Sequence, residues 1–307
     1  MSATWDVIDG TLVGAVGPAV SVLFATYGET IVERAGRINL GVEGSMLMGA
    51  CFGFIATLSS GNVVLGILIG MLAGSALSLL YAYLIISRRT NQLATGIAIS
   101  LFGAGITAWA GRAFVGQSLG GLNPIPVPGL SHLPVLGDAL FRQDALTYAA
   151  YLLGPALWLF LNNTRLGLGL RAVGENADVA YAAGRNPRLV QYAAIAAGGA
   201  LAGLGGTQLS LALTHSWSEG MTVGRGYIAV ALVIFGLWNP IRAMAGAVLF
   251  GGAIALELQL EAKGAPVSPF FLAMLPYLVT IGVLAIWAGT ALKAMPNGLT
   301  GVLKRGS

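Results

Sequence analysis

The side chains best placed to do chemistry in this chain lie in one polar stretch. Between two apolar runs, residues 162–188 read NNTRLGLGLRAVGENADVAYAAGRNPR and hold six charged side chains in a chain that is 9% charged. The chemistry of such a stretch is recognition, because it offers charges and amides to something in water. Its local pattern predicts a short helix. Asn176 suits the N-cap, Asp178 the first turn and Gly184 a left-handed stop. Asn186-Pro187 then reads as the cap and first residue of the next helix. Two readings stand: an ordinary solvated loop, and a handle on which a partner pushes.

The remaining polar candidates are scattered through apolar sequence. Glu43 is the clearest acid inside an apolar run, with Glu257 near the end of another. Asn39 is placed to cap the second span, and Glu43 follows one turn later on the same face. Either both border a solute route or its inner gate, or Glu43 satisfies Arg34, Arg37 or backbone at its helix start, where an acid is favourable without any ligand. Asn91 and Gln92 open the fourth span. Gln208, inside the sixth, must join two helices or line a wet cavity. Trp217, near Glu219, reads as an interfacial anchor rather than a stacking surface. Phe235 reads as an apolar gate or as packing.

Several chemistries are missing. There is no GxxxxGK[ST] phosphate loop. No Ser/His/Asp or Cys/His set is evident, so no catalytic residue is expected. His132 and His215 are far apart and lack ligand-like neighbours, so no metal site is expected, nor a cofactor on this chain. The one cysteine, Cys51, excludes an intrachain disulfide and reads as small packing. A proton-coupled carrier needs ionisable residues within its spans, and these spans read as nearly free of charge. Energy is then expected to enter through the polar stretch.

The elements that must position these residues are membrane helices. The chain is 56% hydrophobic with a mean hydropathy of +0.80, well above the roughly 45–50% apolar share of soluble domains. Apolar runs of about 20 residues recur, the length that crosses a bilayer as a helix, whereas a membrane barrel would alternate in strands of about ten. The fold class is therefore all-α and polytopic, a single domain over residues 1–307. Spans are expected near 10–27, 40–58, 62–86, 93–111, 144–161, 189–213, 227–238, 241–259 and 269–289. The seventh is short and runs into Asn239-Pro240, so it reads as a half-helix. Glycine supplies 45 of 307 residues, about twice the usual share of roughly 7%. GGALAGLGG at 198–206 is expected to pack helices closely, or else to form a flexible gate.

Placing the polar stretch in the cytosol puts twelve basic residues there, including Arg34, Arg37, Arg88, Arg89, Arg242 and Arg305. Only Arg112, Arg142, Arg225 and Lys263 fall outside. The positive-inside rule favours that orientation, with the N-terminus outside and the C-terminus inside. No cleavable signal peptide is expected at the N-terminus. The longest outer loop, 112–143, holds NPIPVPGLSHLPVLG, whose prolines favour extended or turn structure. That loop either seals the outer face or receives a delivered solute.

These residues carry a family resemblance. ETIVERAGRINLGVEGSMLMGA (29–50), TNQLATGIAISLFGAGIT (90–107), LRAVGENADVAYAAGRN (170–186), SEGMTVGRGYIAVALVIFGLWNP (218–240) and MLPYLVTIGVLA (274–285) occur in the order found in ABC importer permease subunits. The chain resembles most the nucleoside subgroup served by basic-membrane-protein-type lipoproteins, within a superfamily that includes permeases for simple sugars and branched-chain amino acids. The resemblance implies an inner- or plasma-membrane subunit that pairs with a second permease, identical or related. It implies separate ATPase subunits, a substrate-binding lipoprotein and no nucleic-acid partner. Residues 170–186 correspond to the coupling helix, and on that basis Arg171, Glu175, Asn176, Asp178, Ala183 and Gly184 are the coupling residues. Asn39, Glu43, Asn91, Gln92, Gln208 and Phe235 are the pathway candidates. The cargo implied is a nucleoside or related nucleobase compound. A simple sugar or branched-chain amino acid on the same machinery is the first rival, a stand-alone secondary transporter or channel the second, and a membrane scaffold the third.

Overall fold

Among the described residues of the computed structural model, eight helices are long and apolar enough to cross a membrane. The structure describes residues 9–264 and 267–304, without the side chains of 287–293 and 301–304. Arg305 and the first eight residues, used above for orientation and leader, lie outside it. In chain order the helices are α1 (Val16–Arg34), α2 (Val42–Ser60), α3 (Val63–Ala82), α4 (Gln92–Gly111), α5 (Ala145–Asn163), α6 (Arg165–Glu175) and α7 (Ala177–Ala182). They continue with α8 (Pro187–Gln208), α9 (Arg225–Phe235), α10 (Pro240–Ala262), α11 (Leu275–Ala294) and α12 (Asn297–Lys304).

Local sequence decides where these helices start. Asn62, Asn91, Asp144, Thr164, Asn176, Asn186 and Asn239 cap α3, α4, α5, α6, α7, α8 and α10 by accepting from backbone N–H groups of the first turn. Pro187 and Pro240 occupy the first helical positions, where a missing N–H costs nothing.

Helix α8 is central and packs on α1, α2 and α3. The approach is close because both surfaces are glycine. A Cβ on Gly49 of α2 would overlap the Gly203 carbonyl of α8, and one on Gly28 of α1 would overlap the Gly198 carbonyl. The 198–206 stretch is thus a packing seam. Around it Phe24, Tyr27, Met46 and Phe250 are buried in one apolar cluster. On the outer helices Leu72, Leu101, Trp109 and Ile286 stand at least two-thirds exposed, which suits lipid contact.

The first span runs further than its apolar residues suggest. Helix α1 continues through Glu29, Glu33 and Arg34 to the end of the bundle where α6 and α7 lie. The expectation of nearly charge-free spans is corrected here, because Glu29 and Glu33 are 1% and 2% exposed inside this helix. Both are partnered: Glu29 accepts from the Asn39 N–H at 2.6 Å, and Glu33 from the Trp238 indole N–H at 2.6 Å.

The seventh expected span, α9, is a half-helix. Eleven residues of α9 rise only about 16 Å, yet the chain from 214 to 239 passes from one end of the bundle to the other. Trp217 sits against Gly111 at the far end of α4, Gly226 lies beside Glu43, and Trp238 meets Glu33 and Arg34. The irregular segment before α9 covers the missing height. Among the described residues the long loop before α5 forms one two-residue antiparallel pairing, Ile125–Pro126 with Arg142–Gln143, and a short helix, Leu136–Leu140.

Candidate functional site

The polar stretch folds as two consecutive helices at one end of the bundle. Asn176 accepts from the N–H groups of Asp178 and Val179 at 3.0 and 3.1 Å, and so opens α7. Gly184 takes φ +81°, the left-handed stop that its glycine suits. Arg185 reaches back to donate to the Arg165 carbonyl at 3.2 Å, tying the exit of α7 to the start of α6. The sequence indicates α7 alone; α6 was not expected, because its glycines mask its helical period.

Two residues here escaped sequence reading. Val179 and Tyr181 are 64% and 69% exposed on α7, although both are large and α7 lies in a polar segment. Apolar knobs on a protruding polar element are the signal that marks them.

The coupling candidates divide by environment. Asp178, Asn176, Ala183 and Gly184 are exposed, and Arg171 is half-buried. Glu175 is turned to the chain's own C-terminal helix: its carboxylate accepts from the Asn297 N–H and side-chain amide at 3.2 and 2.9 Å. Beside it three glycines converge. A Cβ on Gly298 would lie 2.6 Å from the Gly174 carbonyl oxygen, and one on Gly36 would lie 3.1 Å from the Gly174 Cα. Leu299, 1% exposed, then packs with Val233 of α9 and Trp238. Contacts therefore run from α6 through α12 to the half-helix.

The half-helix is also held at its start. Glu43, 8% exposed, accepts from Thr222 Oγ1 at 2.6 Å and from the N–H groups of Gly224 and Gly226 at 2.8 and 2.6 Å. Its partners are thus the N-terminus of α9, not Arg34, Arg37 or the start of its own helix. The principle of an acid at a helix N-terminus holds, with a different helix. Asn39 is buried, accepts from the Gly41 N–H at 2.9 Å and donates to Ser78 at 3.4 Å. It shapes the turn into α2, while Gly41 occupies the N-cap.

An open cavity of about 1230 Å³ flanks α7. It brings Asp178 and Tyr181 together with Asn91, Gln92, Arg37 and Arg188. Asn91 caps α4, and Gln92 accepts from the Ile38 N–H at 3.2 Å. Arg37 donates to Gln191 at 3.1 Å, and burial lowers its pKa from the ordinary guanidinium value. Phe235 is elsewhere, packed over Gly246 and facing Val279 and Thr280 of α11. Gln208 lies at the opposite end of α8, 1% exposed. Trp217 is likewise 1% exposed and packs with Cys51 and Phe54. It is a core residue, and the expectation of an interfacial anchor is corrected: Gly111 leaves the space its indole fills.

Comparison with known proteins agrees with this architecture. The family model for the branched-chain amino acid transport system permease component matches residues 12–288. TsgC13 of Haloferax volcanii, an ABC transporter permease whose assignment to glucose is provisional, is 41% identical over 90% of this chain and 91% of its own. The nucleoside ABC transporter permease NupC of Lactococcus lactis is 33% identical over 91% and 92%. The guanosine ABC transporter permease NupQ of Bacillus subtilis is 30% identical over 92% of each. No solved structure matches. The chain is a multi-pass membrane protein and belongs to the ABC transporter permease family described as the branched-chain amino acid transport system permease component.

Proposed function

We propose that this chain forms the translocation pathway of an ATP-driven importer for nucleosides or related nucleobase compounds. The observation that carries the reading is the capped α6–α7 unit with its exposed Val179 and Tyr181, joined through α12 to the half-helix. A short helix with a fixed stop moves as a rigid body. In this account a separate ATPase subunit grips α7, with Arg171, Asn176, Asp178, Ala183 and Gly184 at or beside the contact. Glu175 acts through α12. ATP binding and hydrolysis then favour different arrangements of the two permease halves, with α9 shifting relative to α1 and α2. A second permease, identical or related, completes the pathway, and a binding lipoprotein delivers solute at the far end. The coupling end faces the cytosol and the chain's N-terminus faces outward. Asn39 and Glu43 set the entrance to α2 and α9. Asn91 and Gln92 border the inner cavity, Gln208 the outer route, and Phe235 is an apolar gate.

The nucleoside cargo is supported by the relatives from Lactococcus lactis and Bacillus subtilis. A second reading, a simple sugar on the same machinery, is favoured by the 41% identical relative from Haloferax volcanii. Uptake of radiolabelled nucleosides in cells carrying the whole operon, with and without this chain, tests the proposal. Loss of uptake on deletion, insensitive to unlabelled sugars and branched-chain amino acids, is the expected result. Nucleoside uptake that persists while sugar uptake is lost replaces the cargo.

A further inference from the structure

We infer that a cavity at the end of the bundle opposite α6 and α7 is a subsite for the hydroxyl-bearing ring of a sugar or of the ribose half of a nucleoside, with Gln208 as its hydrogen-bonding residue. The inference rests on reading the chain as a transport pathway.

The site is built where regular helix stops. Helix α8 ends at Gln208 and gives way to a π-helical turn, Leu209–Leu213, a distortion that recurs at functional positions. The outer loop is laced across this turn: the Leu119 N–H donates to the His215 carbonyl at 2.9 Å, and the Leu122 N–H to the Leu211 carbonyl at 3.0 Å. Between them lies a cavity of about 320 Å³, bordered by Gly17, Leu122, Asn123, Gln143, Gln208 and His215 among others. That volume is at the lower end of the roughly 300–1,000 Å³ of small-molecule sites.

Gln208 is the feature without an internal explanation. Its Nε2 donates to the Gly17 carbonyl at 3.5 Å, and its Oε1 is buried with no hydrogen-bond partner. A buried polar atom in that state is destabilising until a ligand or water reaches it. A carboxamide carries an acceptor and a donor end, so whichever end faces the cavity a hydroxyl can serve it.

The two charged residues that border the cavity, Asp144 and Arg142, already have partners. Asp144 caps α5, taking the N–H groups of Leu146 and Thr147 and the Thr147 hydroxyl. Arg142 pairs with Asp138 at 3.2 Å. What remains is amide and imidazole, which suits a neutral solute. No Phe, Tyr or Trp borders the cavity among the described residues, so hydrogen bonds to hydroxyls, rather than stacking on a base, are the available recognition.

The test is cysteine protection. Asn123 is exposed at the rim, whereas the native Cys51 is fully buried. Asn123→Cys is introduced into cells carrying the complete transporter, and its labelling by a membrane-impermeant maleimide is timed with uridine, glucose or leucine present. Slowing by uridine or by glucose, but not by leucine, is expected, and the effective one of the two identifies the cargo. In Gln208→Leu, and in the shorter Gln208→Asn, the protecting concentration should rise about tenfold. Shielding by a docked binding protein would survive those substitutions. Labelling indifferent to every solute, or protection unchanged in both Gln208 variants, would overturn the subsite. Uptake by the same Asn123→Cys cells separates the two readings: chain-dependent uptake without solute protection rejects the subsite alone, whereas chain-independent uptake rejects the transport reading.

Discussion

Replacing Glu43 should loosen the half-helix, by an amount that depends on how much of its carboxylate survives. Three donors converge on the group: the Thr222 hydroxyl and the N–H groups of Gly224 and Gly226, all at 2.6–2.8 Å. Glu43→Ala strands the buried Gly226 N–H and the half-buried Gly224 N–H, since the hydroxyl can rotate to another acceptor. Each stranded group costs about 1–3 kcal/mol, giving about 4 kcal/mol in all. The loss of an acid at the α9 N-terminus adds about 0.3–1 kcal/mol. Glu43→Gln keeps one acceptor oxygen and turns an NH₂ toward the other donors, so it should cost about 2 kcal/mol. Alanine cannot restore contact by sliding closer, because Gly226 already sits with its would-be Cβ 2.5 Å from the Glu43 Cα. Unfolding of the purified protein in mixed micelles, titrated with SDS, reads the difference, with exposed Glu219→Ala as control. The ordering wild type, Gln, Ala is expected. If Glu43→Ala unfolds within about 0.5 kcal/mol of the control, the clamp does not hold α9 and the reasoning fails.

Other outcomes follow from the same geometry. Gly49→Val forces side-chain atoms into the Gly203 carbonyl and should separate α2 from α8, abolishing folded yield, while Gly105→Val, at a site with nothing within 4 Å, should be tolerated; yield by size-exclusion chromatography decides. Trp238→Phe removes the donor to Glu33 and leaves a buried carboxyl group with less support, a loss of about 1–3 kcal/mol by the same SDS titration. Asp178→Cys should be labelled from the cytosolic side only, and labelling from outside would invert the assigned orientation.

How much of this was legible in the sequence depends on the range of the interaction. Caps and stops are local, so Asn176, Gly184 and Asn186-Pro187 can be read from their neighbours. Spans with clean apolar runs, such as Val63–Ser87 and Pro240–Ala262, are nearly as plain. The end of α1 was not, because Glu29, Glu33 and Arg34 look like a solvated boundary until Asn39 and Trp238 are brought to them. Those contacts, like Glu43 with Gly226 and Glu175 with Asn297, join residues 10, 205, 183 and 122 positions apart, and three of the four lie beyond any local periodicity. Trp217 failed for the same reason: only the fold places Gly111 beneath its ring.

The central claim is that α6 and α7 transmit work from a separate ATPase to the pathway, and one measurement addresses it directly. The complete transporter carrying Gly184→Leu is reconstituted in proteoliposomes, and ATP hydrolysis and solute uptake are followed together. Gly184 has open space around it, so a side chain there meets no neighbour, but its φ of +81° is a conformation that leucine resists. The subunit should therefore remain assembled in the membrane while the stop after α7 is distorted. Continued hydrolysis with uptake lost is the predicted result. Uptake and hydrolysis in the wild-type ratio would contradict the account.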